Sequence, residues 1–510
     1  MKNIEKSVVH MLAVAAAECP DRLAVRCASA ALSYGQYFNC VASLAARLRE
    51  AGVAPGDRVV TIMANSADAA VANFGIQASG AQLVPLNPAY TSAELDIIIA
   101  DASPTVVLCD VEIAATLEKA GAGCEMRITV SPGDLLLDRD NASERDEIVL
   151  PEPEWLSTLQ YTGGTQGLPK GVNLTHRSVV SNIAQREALV PTVDGERVMC
   201  ITPLFHVYAV SMGLYLAAHC RGTLHIVRKF DAGEIFRDIA CHRISFLSAS
   251  PTILLGFMKH QDFADADFSS LRICSSGSAP LSEETLRKWE EATGCLVCEG
   301  YGQTEAGPVL TYNPAEGRRK VGTVGIPVPE TEVSIVDTQT GLIELPAGEI
   351  GEVRARGPQI MTGYRNRPTE TAQSLQGGWL YTGDIGWVDE DGYLTICDRK
   401  KEMIITSGYN VYPREVEEVL YAHNGVQEAA VFGVRDEYRG EMLVAYVVPS
   451  DHSLTYDGVM KHLQGRLTKY KWPREVWLVG ALPKTSVGKV DKKKLREMWS
   501  ASVSEANRTL

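Results

Sequence analysis

From Arg58 onward, short runs of β-branched and apolar residues alternate along the chain with amphipathic stretches of helical period. RVVTIMAN is followed by SADAAVANFGIQASG, AQLVPLNP by SAELDIIIADASP, and TVVLCD closes the first series. The rhythm resumes in RVMCITPLFH, TLHIVRKF, ISFLSAS, LRICSSGSA and CLVCEGYG, with segments such as SEETLRKWEEATG between them. This alternation predicts parallel strands joined by crossover helices, hence an α/β protein of doubly wound sheets. Ligands of such sheets collect beyond the carboxyl ends of the strands, which puts Gly163, Ser276 and Gly300 on one side of the molecule. After about Glu316 the texture changes to VGTVGIPVPETEVSIVD, GEIGEVRARG and WLYTGDIGWVDEDGYLTICD, which predicts a small antiparallel β subdomain over about residues 317–397. DRKKEMIITSGYNVYPREVE, beginning at Asp398, marks a further boundary and opens an α+β pattern that runs to the end. The expected division is a large domain over 1–397 and a small one over 398–510. With no repeat, low-complexity tract or long linker, a short hinge must join them.

Composition narrows the class. The 510 residues are 45% hydrophobic and 22% charged, an ordinary globular balance with material for more than one core. The net charge of −14 removes the basic face that nucleic acid requires. Lys2 and Lys6 ahead of the apolar residues 8–17 mimic a secretory signal. His10 interrupts that run, however, and Glu18 and Pro20 lead into more amphipathic sequence, so an amphipathic first helix is expected. Residues 207–218 are too few to span a bilayer, and no membrane segment is predicted. The twelve cysteines show no disulfide framework; the spacing of Cys295 and Cys298 turns them to opposite faces of a predicted strand, against a metal or redox site. Reduced cysteines in a chain of this length suit the cytoplasm.

Candidate chemistry centres on TLQYTGGTQGLPKGVNLTH, residues 158–176. A strand-like start gives way to Gly163, Gly164, Gly167 and Gly171, a turn able to gather several backbone N–H groups around one anion. Thr162, Thr165 and Lys170 add hydroxyls and a charge, which suits a polyphosphate; read alone, the stretch fits a glycine-rich surface turn equally well. It departs from the common nucleotide loop, because Lys170 lies between Pro169 and Gly171 in a loop instead of opening a helix before Ser or Thr. EGYGQTEAGP, residues 299–308, supplies Tyr301 to stack on a purine, Thr304 to meet a phosphate and Glu305 to hold magnesium, a cation that prefers oxygen ligands. A turn with a solvated acid is the plainer reading. Ser276, Gly277, Ser278 and Ala279 are small enough to let a flat ring or an acyl chain lie against the backbone, or simply to pack on a helix. Asp384 in YTGDIG can accept two ribose hydroxyls or cap its own turn. Near the end, Lys484, Lys489, Lys492, Lys493 and Lys494 read as a solvated basic face, of which only Lys489 adjoins a glycine.

Together, and in their order along the chain, these five stretches resemble the signatures of the adenylate-forming (AMP-binding) superfamily, and the resemblance spans nearly the whole chain. It implies an ATP-dependent acyl-CoA synthetase: an acid and ATP give an acyl adenylate and pyrophosphate, and coenzyme A then displaces AMP. It assigns Thr162, Gly163, Gly164, Thr165 and Lys170 to the ATP phosphates, with Gln166 standing where the usual form has Thr. Gly277, Ser278, Ala279 and Tyr301 fall to adenine, and Asp384 with Arg399 to ribose. Lys489, Thr304 and Glu305 are the implied catalytic group, with magnesium at Glu305. His206, Val207, Ser276 and Gly302 are assigned to the acyl pocket. His206, in PLFHVYAVS, stands where amino-acid-activating relatives carry an ammonium-binding aspartate. Ser407, Gly408 and Tyr409 of the SGYN loop are assigned to coenzyme A, and Asp398 to the hinge of a mobile C-terminal domain. The alternative is an adenylating enzyme that loads a carrier protein, against which the chain shows no carrier domain. SGYNVYPREVE and YTGGTQGLPKGV look most like the fatty-acid branch; which acid is activated, whether fatty, aryl or polycyclic, stays open. A homodimer is one assembly open to it.

Overall fold

The alternating runs form two mixed sheets that share a layer of buried helices. These are the findings of a computed structural model that describes residues 4–119, 126–141, 148–162, 169–279, 281–407, 409–436, 438–450, 454–485 and 489–508. In the first sheet, Leu156–Thr162, Gln82–Leu86, Arg58–Ile62, Val106–Asp110 and Met126–Val130 lie parallel in that spatial order; Lys170–Thr175 and Gly363–Tyr364 extend it antiparallel at one edge. In the second, Leu296–Gly302, Ile273–Ser276, Phe246–Ala249, Arg197–Cys200, Thr223–Ile226 and Leu23–Cys27 are parallel, with antiparallel strands at both edges. Helix Ala67–Ala78 is buried at every position and touches strands of both sheets, as does His176–Leu189. A helix covered all round must be largely apolar or small, as ADAAVANFGIQA is, and its polar exceptions Asp68, Asn73 and Gln77 are all hydrogen-bonded. The first helix, Val8–Glu18, buries Val8, Val9, Met11, Leu12 and Ala15 as its amphipathic spacing predicts, and Ser7 caps it by accepting from the His10 N–H.

Past this body the sheet Glu332–Val336, Gly351–Arg356, Trp379–Val388 and Leu375–Gln376, with Leu394–Arg399 beside Trp379–Val388, is antiparallel throughout. It starts later than about residue 317, because Ile326–Pro327 pairs instead with Val309–Tyr312 at the edge of the second large sheet. Asp398 lies inside its last strand, one residue before the strand ends. The C-terminal part builds its own sheet from Ile404–Thr406, Tyr409–Val411, Val426–Asp436, Gly440–Pro449 and Glu475–Leu478, covered by helices Pro413–Tyr421 and Tyr456–Gln464. Among the described residues no helix is long and apolar enough to cross a membrane, no group of three or more His, Cys, Asp or Glu is placed to hold a metal, and every cysteine is free.

Candidate active site

The carboxyl ends of the large sheets' strands open onto one cavity of about 360 Å³. Strand Leu156–Thr162 delivers Thr162, strand Ile273–Ser276 leads into Gly277 and Ser278, and strand Leu296–Gly302 delivers Gly300, Tyr301 and Gly302. The turn Thr304–Ala306 adds Thr304 and Glu305, and His206 and Val207 enter from the start of helix Val207–Ala209. Arg399 comes from the antiparallel sheet and Lys489 from the C-terminal part. Ser278 holds a left-handed φ of 69°, a cost of about 1–3 kcal/mol in a non-glycine residue that characterises functional sites.

Gly302 is required by space. A Cβ there would stand 1.8 Å from the Pro308 carbonyl oxygen, so any side chain must push two backbone segments apart. Gly302→Ala is expected to cost about 1–3 kcal/mol of stability, measured as a lower denaturation midpoint, and to weaken nucleotide binding. A variant that melted with the parent would show that the two segments separate freely.

The charged centre of the site is Asp384, which is 3% exposed. Its Oδ2 accepts from the Tyr301 hydroxyl at 2.5 Å, and its Oδ1 pairs with Arg399 Nε at 2.7 Å. Burial pushes the Asp384 carboxyl up, and Arg399, Tyr301 and Lys489 pull against it. Two of the four lone-pair directions of the carboxylate are used, which leaves two for incoming hydroxyls. Burial, and after it the Arg399 charge, lowers the Lys489 ammonium. Lys489 in turn acts on His206, whose pKa burial drives down to about 4, so the imidazole is neutral at pH 7 and its Nδ1 accepts from the Tyr208 N–H. Lys489 thus lies within electrostatic reach of both Asp384 and His206. On the flank, Glu305 Oε1 accepts from the Tyr364 hydroxyl at 2.8 Å, and the Lys170 ammonium sits 4.8 Å from the centre of the Tyr364 ring.

This arrangement matches known proteins over its whole length. The sequence profile of the AMP-binding enzyme family covers residues 12–365, and that of the AMP-binding enzyme C-terminal domain covers 415–489. A long-chain-fatty-acid–CoA ligase of Bacillus subtilis (strain 168) is 35% identical over 96% of this chain and 94% of its own length. A feruloyl-CoA synthase of an Amycolatopsis species is also 35% identical, over 94% and 96%. Among solved structures, ATP-bound MatB from Rhodopseudomonas palustris superposes with a TM-score of 0.89 at 32% identity, covering 97% of this chain and 99% of that one; its apo form gives 0.79 at 33%.

The chain belongs to the AMP-binding enzyme family. It is an AMP-forming acid–thiol ligase of the acyl-CoA synthetase class, with ATP and coenzyme A as substrates.

The cavity wall carries eleven of the twenty-two site residues singled out in the sequence; Asp384 is not on it but is bonded to Tyr301 and Arg399, which are, and the other exceptions are instructive. Gly163, Gly164, Thr165 and Gly408 lie outside the described residues. Lys170 opens strand Lys170–Thr175 instead of sitting in a loop, because it pairs across to Thr162. Ser276 is fully buried, its Oγ has no partner among the described residues, and it is absent from the cavity wall, as is Ala279. Alternation along the strand explains this: Ser275, one residue earlier, is the one whose hydroxyl meets the wall residues Tyr208 and Tyr312. Ser407 and Tyr409 sit on a hairpin of the C-terminal sheet, where Tyr409 is half-exposed and stacks on Tyr470 at 4.5 Å; neither reaches the cavity. Tyr364, Tyr208 and Tyr312 escaped the sequence reading, since a lone tyrosine carries no signal of its own.

Proposed function

We propose that these residues divide the ligase reaction as follows. Acid and nucleotide meet in the cavity, where a carboxylate oxygen attacks the α-phosphorus and pyrophosphate leaves. Lys489 neutralises the charge that develops there. Asp384, held by Arg399 and Tyr301, accepts the ribose hydroxyls; Gly277, Ser278 and the Tyr301 ring frame adenine. Thr162, Gly163, Gly164, Thr165, Lys170 and Thr304 take the phosphates. Glu305 keeps one carboxylate oxygen clear of Tyr364, which fits magnesium, an ion commonly held by one or two carboxylates plus substrate phosphates; bound there, it would offset phosphate charge. In the second half-reaction the thiol of coenzyme A attacks the adenylate carbonyl and AMP departs. Ser407, Gly408 and Tyr409 serve that step, which requires the C-terminal domain to turn about Asp398. The observation that carries this reading is Lys489 on the same wall as Tyr301, Glu305 and His206; the better superposition on the ATP-bound relative supports the same assignment. The test is CoA-dependent AMP release over a panel of fatty, aryl and polycyclic acids, read beside pyrophosphate exchange.

The acid carries no α-ammonium. His206 is neutral, and the one carboxylate on the wall among the described residues, Glu305, already accepts from Tyr364 and is assigned here to magnesium, so a buried ammonium beside His206 would stand unpaired, at a cost of several kcal/mol. Free amino acids should give pyrophosphate exchange at least about 100-fold slower than their des-amino analogues. Comparable exchange with any common amino acid would refute the assignment of His206.

A further inference from the structure

Three hydroxyls are linked along one wall of the cavity. Tyr208 Oη lies 2.7 Å from Ser275 Oγ and 3.1 Å from the Ser275 carbonyl oxygen, and Ser275 Oγ lies 2.8 Å from Tyr312 Oη. Both tyrosines line the cavity together with His206, Val207 and Val309, while Ser275 is fully buried behind them. The three protons have internal acceptors: Tyr208 to the Ser275 carbonyl, Ser275 to Tyr208 and Tyr312 to Ser275. The chain is closed, and opening it leaves a buried hydroxyl without a partner.

The walls that carry these hydroxyls have little freedom to part. The Tyr312 ring lies over Gly300, 2.5 Å from where a Cβ would stand. Strand Val309–Tyr312 is pinned to helix His176–Leu189 at Val309, whose N–H and carbonyl both bond the Asn182 side chain, at 2.9 and 2.8 Å. Near Tyr312 lies Arg186: burial raises the tyrosine hydroxyl's pKa and the Arg186 charge pulls against it. Arg186 is fully buried and absent from the cavity wall; its guanidinium sits 4.6 Å from the centre of the Phe246 ring, with Nε and Nη2 unpartnered among the described residues. Its Nη1 pairs with the Glu187 carboxylate, and an alkyl chain driven past the floor would press methylene groups against the two guanidinium nitrogens left without a partner among the described residues.

Size points the same way. The whole cavity, about 360 Å³, lies toward the lower end of pockets that bury one drug-sized ligand, roughly 300–1,000 Å³. That space is shared between the acyl group and the adenylate.

Resting on the ligase reading above, we propose that Tyr208, Ser275 and Tyr312 form a closed floor that restricts the enzyme to compact acids, an aromatic ring on a short stem or a short acyl chain, and excludes long-chain fatty acids. The acid-specificity of the Bacillus relative therefore does not transfer.

The test uses acyl-sulfamoyl adenosines, stable mimics of the acyl adenylate, so that binding is read apart from turnover. Calorimetry on the full chain should find the benzoyl, cinnamoyl and octanoyl compounds about 100-fold tighter than the hexadecanoyl compound, within the range a closed pocket achieves. In Tyr312→Val, which removes ring and hydroxyl together, that ratio should fall by about tenfold or more through tighter hexadecanoyl binding. Ser275→Ala should break the hydroxyl link without making room, and so leave hexadecanoyl binding weak. Hexadecanoyl binding within about tenfold of the compact compounds in the parent protein overturns the proposal. An unchanged ratio in folded Tyr312→Val overturns the floor as its cause. Failure of every acid to give CoA-dependent AMP, with the length cut-off in binding intact, would instead count against the ligase assignment and leave the floor standing.

Discussion

Lys489→Ala is expected to lose adenylation and to keep thioester formation. The ammonium sits in the cavity within reach of Asp384, Arg399 and His206, where carboxylate oxygen and α-phosphate must meet. Removing a preorganised charge from such a position costs about 3 kcal/mol, or roughly 10²–10³ in rate, by analogy with loss of an oxyanion donor. Pyrophosphate exchange measures that loss; thioester synthesis from a supplied acyl adenylate should stay near the parent rate, because the proposed role gives the lysine no part in displacing AMP. Equal loss in both half-reactions would sink the assigned role. The pH profile supplies a second readout. Burial first, and Arg399 next, lower the Lys489 pKa below the 10.5 of a free lysine. The charged form is the active one, so adenylation should fall as pH rises through the lowered value. Lys489→Arg, which cannot deprotonate in that range, should flatten the alkaline limb even where its rate is reduced.

The sequence made the sheets legible because β-branched runs and helical periods alternate in it. It hid what depends on distant pairing. Leu23–Cys27 joins the second large sheet through Val25 opposite Leu224, and no local pattern announces a partner so far along the chain. The same division holds in the site. Asp384 and Arg399, fifteen positions apart, fall opposite each other across one antiparallel pair, a pairing that the short spacing between their motifs allows. The Tyr301–Asp384 bond joins positions 83 apart, and the Tyr364–Glu305 bond positions 59 apart; neither follows from either local stretch. Ser275 against Ser276 is a question of strand register, where one residue changes the face. His206 was legible as an uncharged substitute for aspartate, but its neutrality comes from burial, which only the fold supplies.

Asp398→Pro is expected to retain pyrophosphate exchange and to lose thioester synthesis by at least about tenfold, or about 1.4 kcal/mol on that barrier. Lys489 occupies the cavity while the hairpin bearing Ser407 and Tyr409 stands away from it, and both belong to the same C-terminal part. Bringing the hairpin to the adenylate therefore requires the whole unit to turn, and with no long linker the turn must be absorbed by a few backbone dihedrals. Asp398 is placed to absorb it. It lies near the end of strand Leu394–Arg399, opposite Ile385 of strand Trp379–Val388, one residue before the chain leaves the sheet. Its carboxylate accepts from the Arg399 N–H at 2.7 Å and from the Arg414 N–H at 3.0 Å, tying the strand to helix Pro413–Tyr421 of the C-terminal part. Proline would fix φ near −65° and would also delete these two bonds. Asp398→Ala separates the effects, since it deletes the bonds and leaves φ free. If rotation about this residue is the essential motion, Asp398→Ala keeps both half-reactions and Asp398→Pro keeps only the first. Equal thioester loss in the two variants would assign the effect to the carboxylate; a proline variant with both half-reactions near the parent rate would move the hinge elsewhere.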